Sequence, residues 1–447
     1  MNWVWRQRYR QYRLLTWMQH AAARRLTPAG WLVGLCLGLA AFMGINHQSM
    51  VAHQGIALLL FLLVSATVPS FFFRVKLSVT RSVPRFGTAG QPLSYRIVVR
   101  NLTAKTQADL FLLEDLTDTR PPFQEWLAYR KAEQRNMRPF WLVGQSLAFA
   151  PAVARVRPVA LPTLAPGREL DAEGQITPLR RGLLTFAGVS VARPDPFGLF
   201  HAIVKFPLPG KILILPRRYP LPPLAMPGTL KYQEGGVALA ANVGQSDEFV
   251  ALRDYRRGDP LRHIHWRSWA RTGKPIVKEF EDEFFVRHAL VLDTFSDQPN
   301  SELFEEAVSV AASFACTLQT QESLLDLLFV GAEAYCFTAG RGLAHADQML
   351  EILAAVRPAA GQTLADLERL VFNHTALVSN CICVLLAWDA PRRDFVKKLV
   401  TSGVPVLVVV LVAQTPAQPL DPGPLRDEPG RFHTLVLGEI EAGLQAL

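Results

Sequence analysis

The sequence predicts a multidomain fold: a transmembrane α-hairpin, an antiparallel β-sandwich and an α/β doubly wound domain. Three observations carry this. No charged residue occurs from Leu26 to Phe73, a run of 48 positions, which is room for two bilayer crossings of about 20 residues each plus a turn. After Arg74 the hydrophobic period becomes two, as in LSYRIVV, where Leu93, Tyr95, Ile97 and Val99 fall on one side. Beyond His288, apolar strands alternate with helical patterns, as in a parallel sheet covered on both faces. At 447 residues the chain has room for two or three domains.

Residues 1–25 form a basic segment in which Trp3, Trp5, Tyr9, Tyr12 and Trp17 stand among six arginines. That mixture suits the headgroup layer of an anionic leaflet, or a frayed basic tail. Over 26–73, the apolar runs Trp31–Ile45 and Gly55–Phe73 flank the uncharged turn NHQSMVAHQ. Basic residues on both outer flanks, and none in the turn, place both termini and the soluble domains in the cytoplasm, with the lipid bilayer as a partner. A signal peptide would carry one apolar stretch. A core hairpin would show polar positions at helical spacing.

Residues 74–230 read as the sandwich, with successive short strands in VTRSVPRFGTAGQPLSYRIVVRNLTAKTQADLFLLEDL and again in Arg180–Phe200. The Pro-rich, basic stretch near 119–168 reads as an insertion, and Pro216–Gly228 as an exit linker. Residues 286–447 form the α/β domain, opening with the strand HALVLDTFSD. Ligands of such sheets sit at the carboxyl ends of strands flanking the topological switch, where Asp293 and Asp389 fall.

Net charge is +9, yet thirteen Lys/Arg and no acid precede Asp109, which leaves 34 basic and 38 acidic residues in the remainder. The high pI therefore belongs to the first quarter and does not support a nucleic-acid-binding role for the chain as a whole. The densest charge lies in a segment over 231–285, in LRDYRRGDPLRHIHWRSWARTGKPIVKEFEDE. Asp259-Pro260 reads as a helix start and Gly273 as its stop, with a strand from Ile276. On a helix His263 and His265 point about 200° apart, which argues against a metal pair. Cys381 and Cys383 share one face of an apolar strand, where thiols pack. No P-loop, HExxH or GxSxG pattern occurs.

This segment, with RPDPFGLF upstream, resembles the DUF58 family of bacterial membrane-associated proteins. The resemblance marks Arg253, Asp254, Tyr255, Arg256, Gly258, Asp259, Arg262, Ile264, His265, Trp266, Arg267, Arg271, Gly273 and Glu279 as signature residues. Trp269 departs from the pattern. The resemblance implies a von Willebrand factor A-like C-terminal domain. Such a domain can hold a divalent cation such as Mg²⁺, here through Asp293, Thr363 and Asp389. Phe295 and Asp297 stand where serine ligands are usual, and Phe295 cannot ligate a hard cation. It further implies a scaffold at the bacterial inner membrane that partners a MoxR-type AAA+ ATPase in assembling or maturing other proteins. From the residues, the signature arginines pair with nearby carboxylates as a clasp between domains. The alternative is an enzyme, or a phosphate- or polyanion-binding protein, acting through the same Arg/His-rich motif.

Overall fold

The computed structural model describes residues 2–44, 50–117, 120, 122–124, 126–127, 130, 153–222, 249–257, 259, 261–280, 286–296, 301–318, 324–340, 343–359 and 362–447. The chain forms two compact units, Met1–Leu215 and Pro216–Leu447.

The first unit opens with α1 (Asn2–Arg25), α2 (Pro28–Met43) and α3 (Met50–Phe72). The expected transmembrane hairpin is not what forms. No helix among the described residues is both long and apolar enough to cross a membrane. Thr27 caps α2, with its Oγ1 accepting from the Gly30 amide at 3.0 Å, and Gly44 closes the helix after Met43. Sixteen residues remain, about 24 Å of helix against the roughly 30 Å of a hydrocarbon core. In α3 the unbroken apolar run is confined to Ile56–Val64, between His53-Gln54-Gly55 and Ser65.

Among the described residues the following strands come next: β1 (Leu77–Ser82), β2 (Phe86–Thr88), β3 (Leu93–Asn101), β4 (Leu110–Leu116), β5 (Ala154–Val156), β6 (Val159–Leu161), β7 (Glu169–Pro178), β8 (Gly182–Pro194) and β9 (His201–Leu215). They build two sheets, in the orders β1-β3-β7-β5 and β2-β9-β8-β4-β6. The alternation explains the packing. Tyr95, Ile97 and Val99 point from one sheet into a core shared with Leu110, Leu112, Phe186 and Ile212 of the other. Pairing is antiparallel except between β2 and β9. The stretch expected to be an insertion supplies β5 and β6, which pair with β7 and β4.

One turn ties the helices to the sandwich. In Pro194–Phe200, Asp195 accepts from the amides of Phe197 (3.1 Å) and Phe200 (2.7 Å). The turned-out carbonyls then serve the α1–α2 junction. Thr27 Oγ1 donates to Gly198 O at 2.6 Å, and the Thr27 amide donates to Leu199 O at 3.1 Å. A Cβ on Gly30 would sit 2.3 Å from Leu199 O, so only glycine admits this approach. The RPDPFGLF motif is thus a docking turn for the N-terminal helices.

In the second unit, β10 (Phe249–Asp254) and β11 (Ile276–Phe280) form an antiparallel ribbon, with the short α4 (Trp266–Thr272) between them. The α/β part comprises β12 (Arg287–Leu292), α5 (Glu302–Leu318), β13 (Leu324–Val330), β14 (Ala334–Ala339), α6 (Leu343–Ala355), α7 (Leu364–Phe372), β15 (Asn380–Leu385), α8 (Ala390–Thr401), β16 (Val406–Val412), β17 (Phe432–Val436) and α9 (Ile440–Gln445). Its sheet runs β14-β13-β12-β15-β16-β17 and is parallel except for the edge strand β14. The central strands have no wet face, since β12 and β15 are buried at every position. Leu367, Val371, Phe395 and Leu399 of α7 and α8 share a core with Val291 and Cys383. The thiols of Cys381 and Cys383 lie 3.6 Å apart in that core. The chain leaves β12 toward β13 and later returns to β15 on the other side, so the topological switch lies between β12 and β15.

The exit linker expected over Pro216–Gly228 is anchored at its start. Tyr219 is buried; its amide donates to Ser313 Oγ (2.8 Å) and its hydroxyl to Glu306 Oε2 (2.6 Å) on α5. Residues 223–228 lie outside the described residues.

Candidate functional site

Two charged places in the second unit stand out, and they differ in burial. The first is the signature segment. Arg253, on β10, donates Nη1 and Nη2 to the two oxygens of Asp259 at 2.7 and 2.8 Å. The Arg256 amide donates to Asp259 Oδ2 at 2.8 Å. The Arg253 guanidinium first, and then that amide, hold the Asp259 carboxyl down at about 2. This corrects the expected helix start. Asp259 is engaged by Arg253, so a single 3₁₀ turn (Leu261–His263, holding Arg262) follows, and α4 begins only after His265. Ile264 bridges to Val277 instead of riding on a helix face, and the His265 amide donates to Ile276 O at 2.8 Å. His265 Nδ1 lies 2.6 Å from Ser268 Oγ, so the imidazole is engaged locally. Gly273 ends α4 in the left-handed region, with φ of 70°.

The remaining signature residues fall around this frame. Asp254 closes β10 opposite Ile276, and the Tyr255 amide donates to Pro275 O. Glu279 sits on β11 opposite Ala251. Gly258 lies outside the described residues. On α4, Trp266 and Trp269 stack with ring centroids 5.2 Å apart, and Trp266 is 65% exposed. Arg267 and Arg271 are exposed and make no ion pair among the described residues. The clasp predicted for the arginines is, at Arg253, a tie within the segment itself.

The second place is the switch point. Asp293 follows β12 and is fully buried. It accepts from the amides of Phe295 and Leu386, both at 3.0 Å. Arg392 Nε donates to its Oδ2 at 2.6 Å, and Arg392 Nη1 donates to Asp389 Oδ2 at 2.7 Å. Asp389 also caps α8, accepting from the Arg392 amide at 3.1 Å. Burial disfavours charge on Arg392, but its bonds to Asp293 and Asp389 overcome this and hold its pKa above the ordinary value. Thr363 stands elsewhere. It is exposed, and its amide and hydroxyl both donate to Asp366 Oδ2 at the start of α7.

The cation set drawn from Asp293, Thr363 and Asp389 therefore does not fit a divalent ion. A guanidinium bridges the two carboxylates, Phe295 packs against the core, and the Thr363 hydroxyl is used by Asp366. Asp297 lies outside the described residues. Among the described residues no group of three or more His, Cys, Asp or Glu is placed to hold a metal ion. Sequence reasoning missed Arg392. The available signal was Asp389-Ala-Pro-Arg392: three residues on from a capping Asp, a helical side chain returns to the cap.

These features define a chain with a two-sheet sandwich unit and a doubly wound α/β unit that bears a charged ribbon–helix segment. Residues 251–415, spanning that segment and much of the α/β sheet, match the family described as "Protein of unknown function DUF58". The chain is 27% identical over 206 residues to "Uncharacterized protein YeaD" of Bacillus subtilis (strain 168), a match covering 45% of this chain. The chain spans about half the length of that curated relative, 50%. Among solved structures, the CARDB domain of a Pyrococcus furiosus protein is 12% identical, covering 32% of this chain and 91% of that one, with a TM-score of 0.18. A cohesin module from Clostridium perfringens is 10% identical, covering 32% of this chain and 98% of that one, with a TM-score of 0.16. Overlaps at such TM-scores carry no argument about this chain.

Proposed function

We propose that the protein is an interaction protein that presents the signature segment to a partner, and that the partner is a MoxR-type AAA+ ATPase acting in assembly or maturation of other proteins. The observation that carries this is the exposed Trp266, stacked on the half-buried Trp269, with the exposed Arg267 and Arg271 beside them on α4. Tryptophan and arginine dominate binding energy in protein interfaces. The Arg253–Asp259 pair and the β10–β11 ribbon hold that helix ready, which lowers the ordering cost of binding. The identity of the partner comes from the DUF58 resemblance. That resemblance also favours a von Willebrand factor A-like reading of the second unit, which suits a doubly wound sheet with one antiparallel edge strand. The same resemblance favours the cytoplasmic face of the bacterial inner membrane as the location.

The test is capture of the full chain on an immobilised MoxR-type ATPase, with and without ATP. Nucleotide-dependent capture is expected, and its absence overturns the partnership. Exposed Arg267 and Arg271 also support a second reading, a phosphate or polyanion site on α4. Titration of inorganic phosphate and polyphosphate against wild type and an Arg267→Gln/Arg271→Gln variant decides it. Equal weak binding to both excludes that site.

A further inference from the structure

The N-terminal helix has two faces, and among the described residues its aromatic contacts fall on one of them. Along one side, Trp5, Tyr9 and Tyr12 pack on Trp126 with ring centroids 6.2, 5.4 and 6.0 Å away. At the C-terminal end Arg24 pairs with Asp115, and its Nη2 donates to Glu114 O at 3.0 Å. These contacts fix the rotation of α1 about its own axis. The segment is therefore a docked helix rather than a frayed tail, and three of the aromatic residues expected at headgroups face the protein.

Among the described residues the opposite side is exposed. Trp3, Gln7, Arg10, Leu14 and Trp17 recur at steps of four and three, which stacks them on one stripe. Trp3 is 75% exposed, Trp17 61% and Leu14 59%, with Met18 beside them at 52%. Arg6 and Arg13, both exposed, border the stripe on one side. The helix has no acidic residue, and none precedes Asp109 in the whole chain.

We infer that this face of α1 adsorbs, in the plane of the surface, onto an anionic lipid bilayer. Bare tryptophans on a helical stripe bordered by arginine suit the headgroup boundary, where the indole is half immersed and the guanidinium meets phosphate. Charge complementarity selects an anionic surface over a neutral one. A lipid surface is favoured over an acidic protein because the exposed Trp3, Leu14, Trp17 and Met18 give the face a large apolar area, and Arg6, Arg10 and Arg13 lie within or along its edge. The helix lies on the surface and does not cross it.

The experiment is co-sedimentation of the full chain with vesicles, either pure phosphatidylcholine or equal parts phosphatidylcholine and phosphatidylglycerol. Wild type is expected to prefer the anionic vesicles. Arg6→Gln/Arg10→Gln/Arg13→Gln is expected to weaken that binding roughly a hundredfold, at about fivefold per basic residue, with little change on neutral vesicles. Trp3→Ala/Trp17→Ala is expected to weaken binding to both. Gln7→Glu, which keeps the helix and places an acid on the stripe, is expected to lower anionic binding as well. All these side chains lie outside the Trp126 contact, so helix content by circular dichroism is expected to be unchanged. Equal sedimentation of wild type and the triple Gln variant with anionic vesicles overturns the inference. So does retention of wild type on polyglutamate beads with no vesicle binding, which assigns the face to an acidic protein.

Discussion

Arg253–Asp259 and Arg392–Asp293 are the same chemical pair in two settings. At the switch point Asp293 is fully buried and Arg392 is 9% exposed. In the signature segment the Arg253 and Asp259 side chains keep 31% and 15% of their surface. A buried guanidinium between two carboxylates completes a core, and removing it strands charge where water cannot reach. A partly exposed pair orders a loop and leaves its neighbours open to a partner. Burial, more than residue type, therefore assigns a structural role to the first and a presenting role to the second.

The comparison breaks most sharply at Arg392. Arg392→Ala is expected to cost roughly 3–5 kcal/mol, because it leaves Asp293 charged and buried; urea unfolding followed by circular dichroism measures this. A cost below about 1 kcal/mol contradicts a buried ion pair at the switch point. Asp293→Asn keeps an acceptor for one backbone amide and is expected to cost less, about 1–3 kcal/mol by the same method.

The signature pair is sharpened by pH. Asp259 is held near 2, below its ordinary value, so its contribution is present above about pH 4 and is lost as pH falls toward 2. The difference in urea midpoint between wild type and Asp259→Asn is therefore expected to be constant at neutral pH and to vanish on acidification. A difference that persists at pH 2 contradicts the pairing with Arg253. The smallest stability effect is expected at Trp266→Ala, within about 0.5 kcal/mol, since the side chain is exposed. Its cost to partner binding is expected to be about 2 kcal/mol, read by calorimetry.

Much of this architecture is legible along the chain. The period-two run at Tyr95, Ile97 and Val99 points the strand's core face correctly, and the unbroken apolar run around Cys381–Cys383 marks a central strand. Hydropathy failed at the hairpin because it counts uncharged positions and not helix ends. Thr27 with Pro28, and then Gly44, set the length of α2. The Asp259-Pro260 pair misled because a helix cap competes with any better donor, and Arg253 reaches Asp259 from β10. Arg392 could not be assigned from its helix alone. Its partner Asp293 lies 99 residues away, and only the return of the chain to β15 brings them together.

The most direct measurement is calorimetric titration of the MoxR-type ATPase, with ATP bound, against wild type, Trp266→Ala and Asp389→Asn. Asp389→Asn alters the exposed rim of the switch point. A roughly 30-fold weaker affinity for Trp266→Ala, with Asp389→Asn like wild type, is the expected result. Unchanged affinity for Trp266→Ala together with lost affinity for Asp389→Asn would move the partner surface to the switch point and contradict the account.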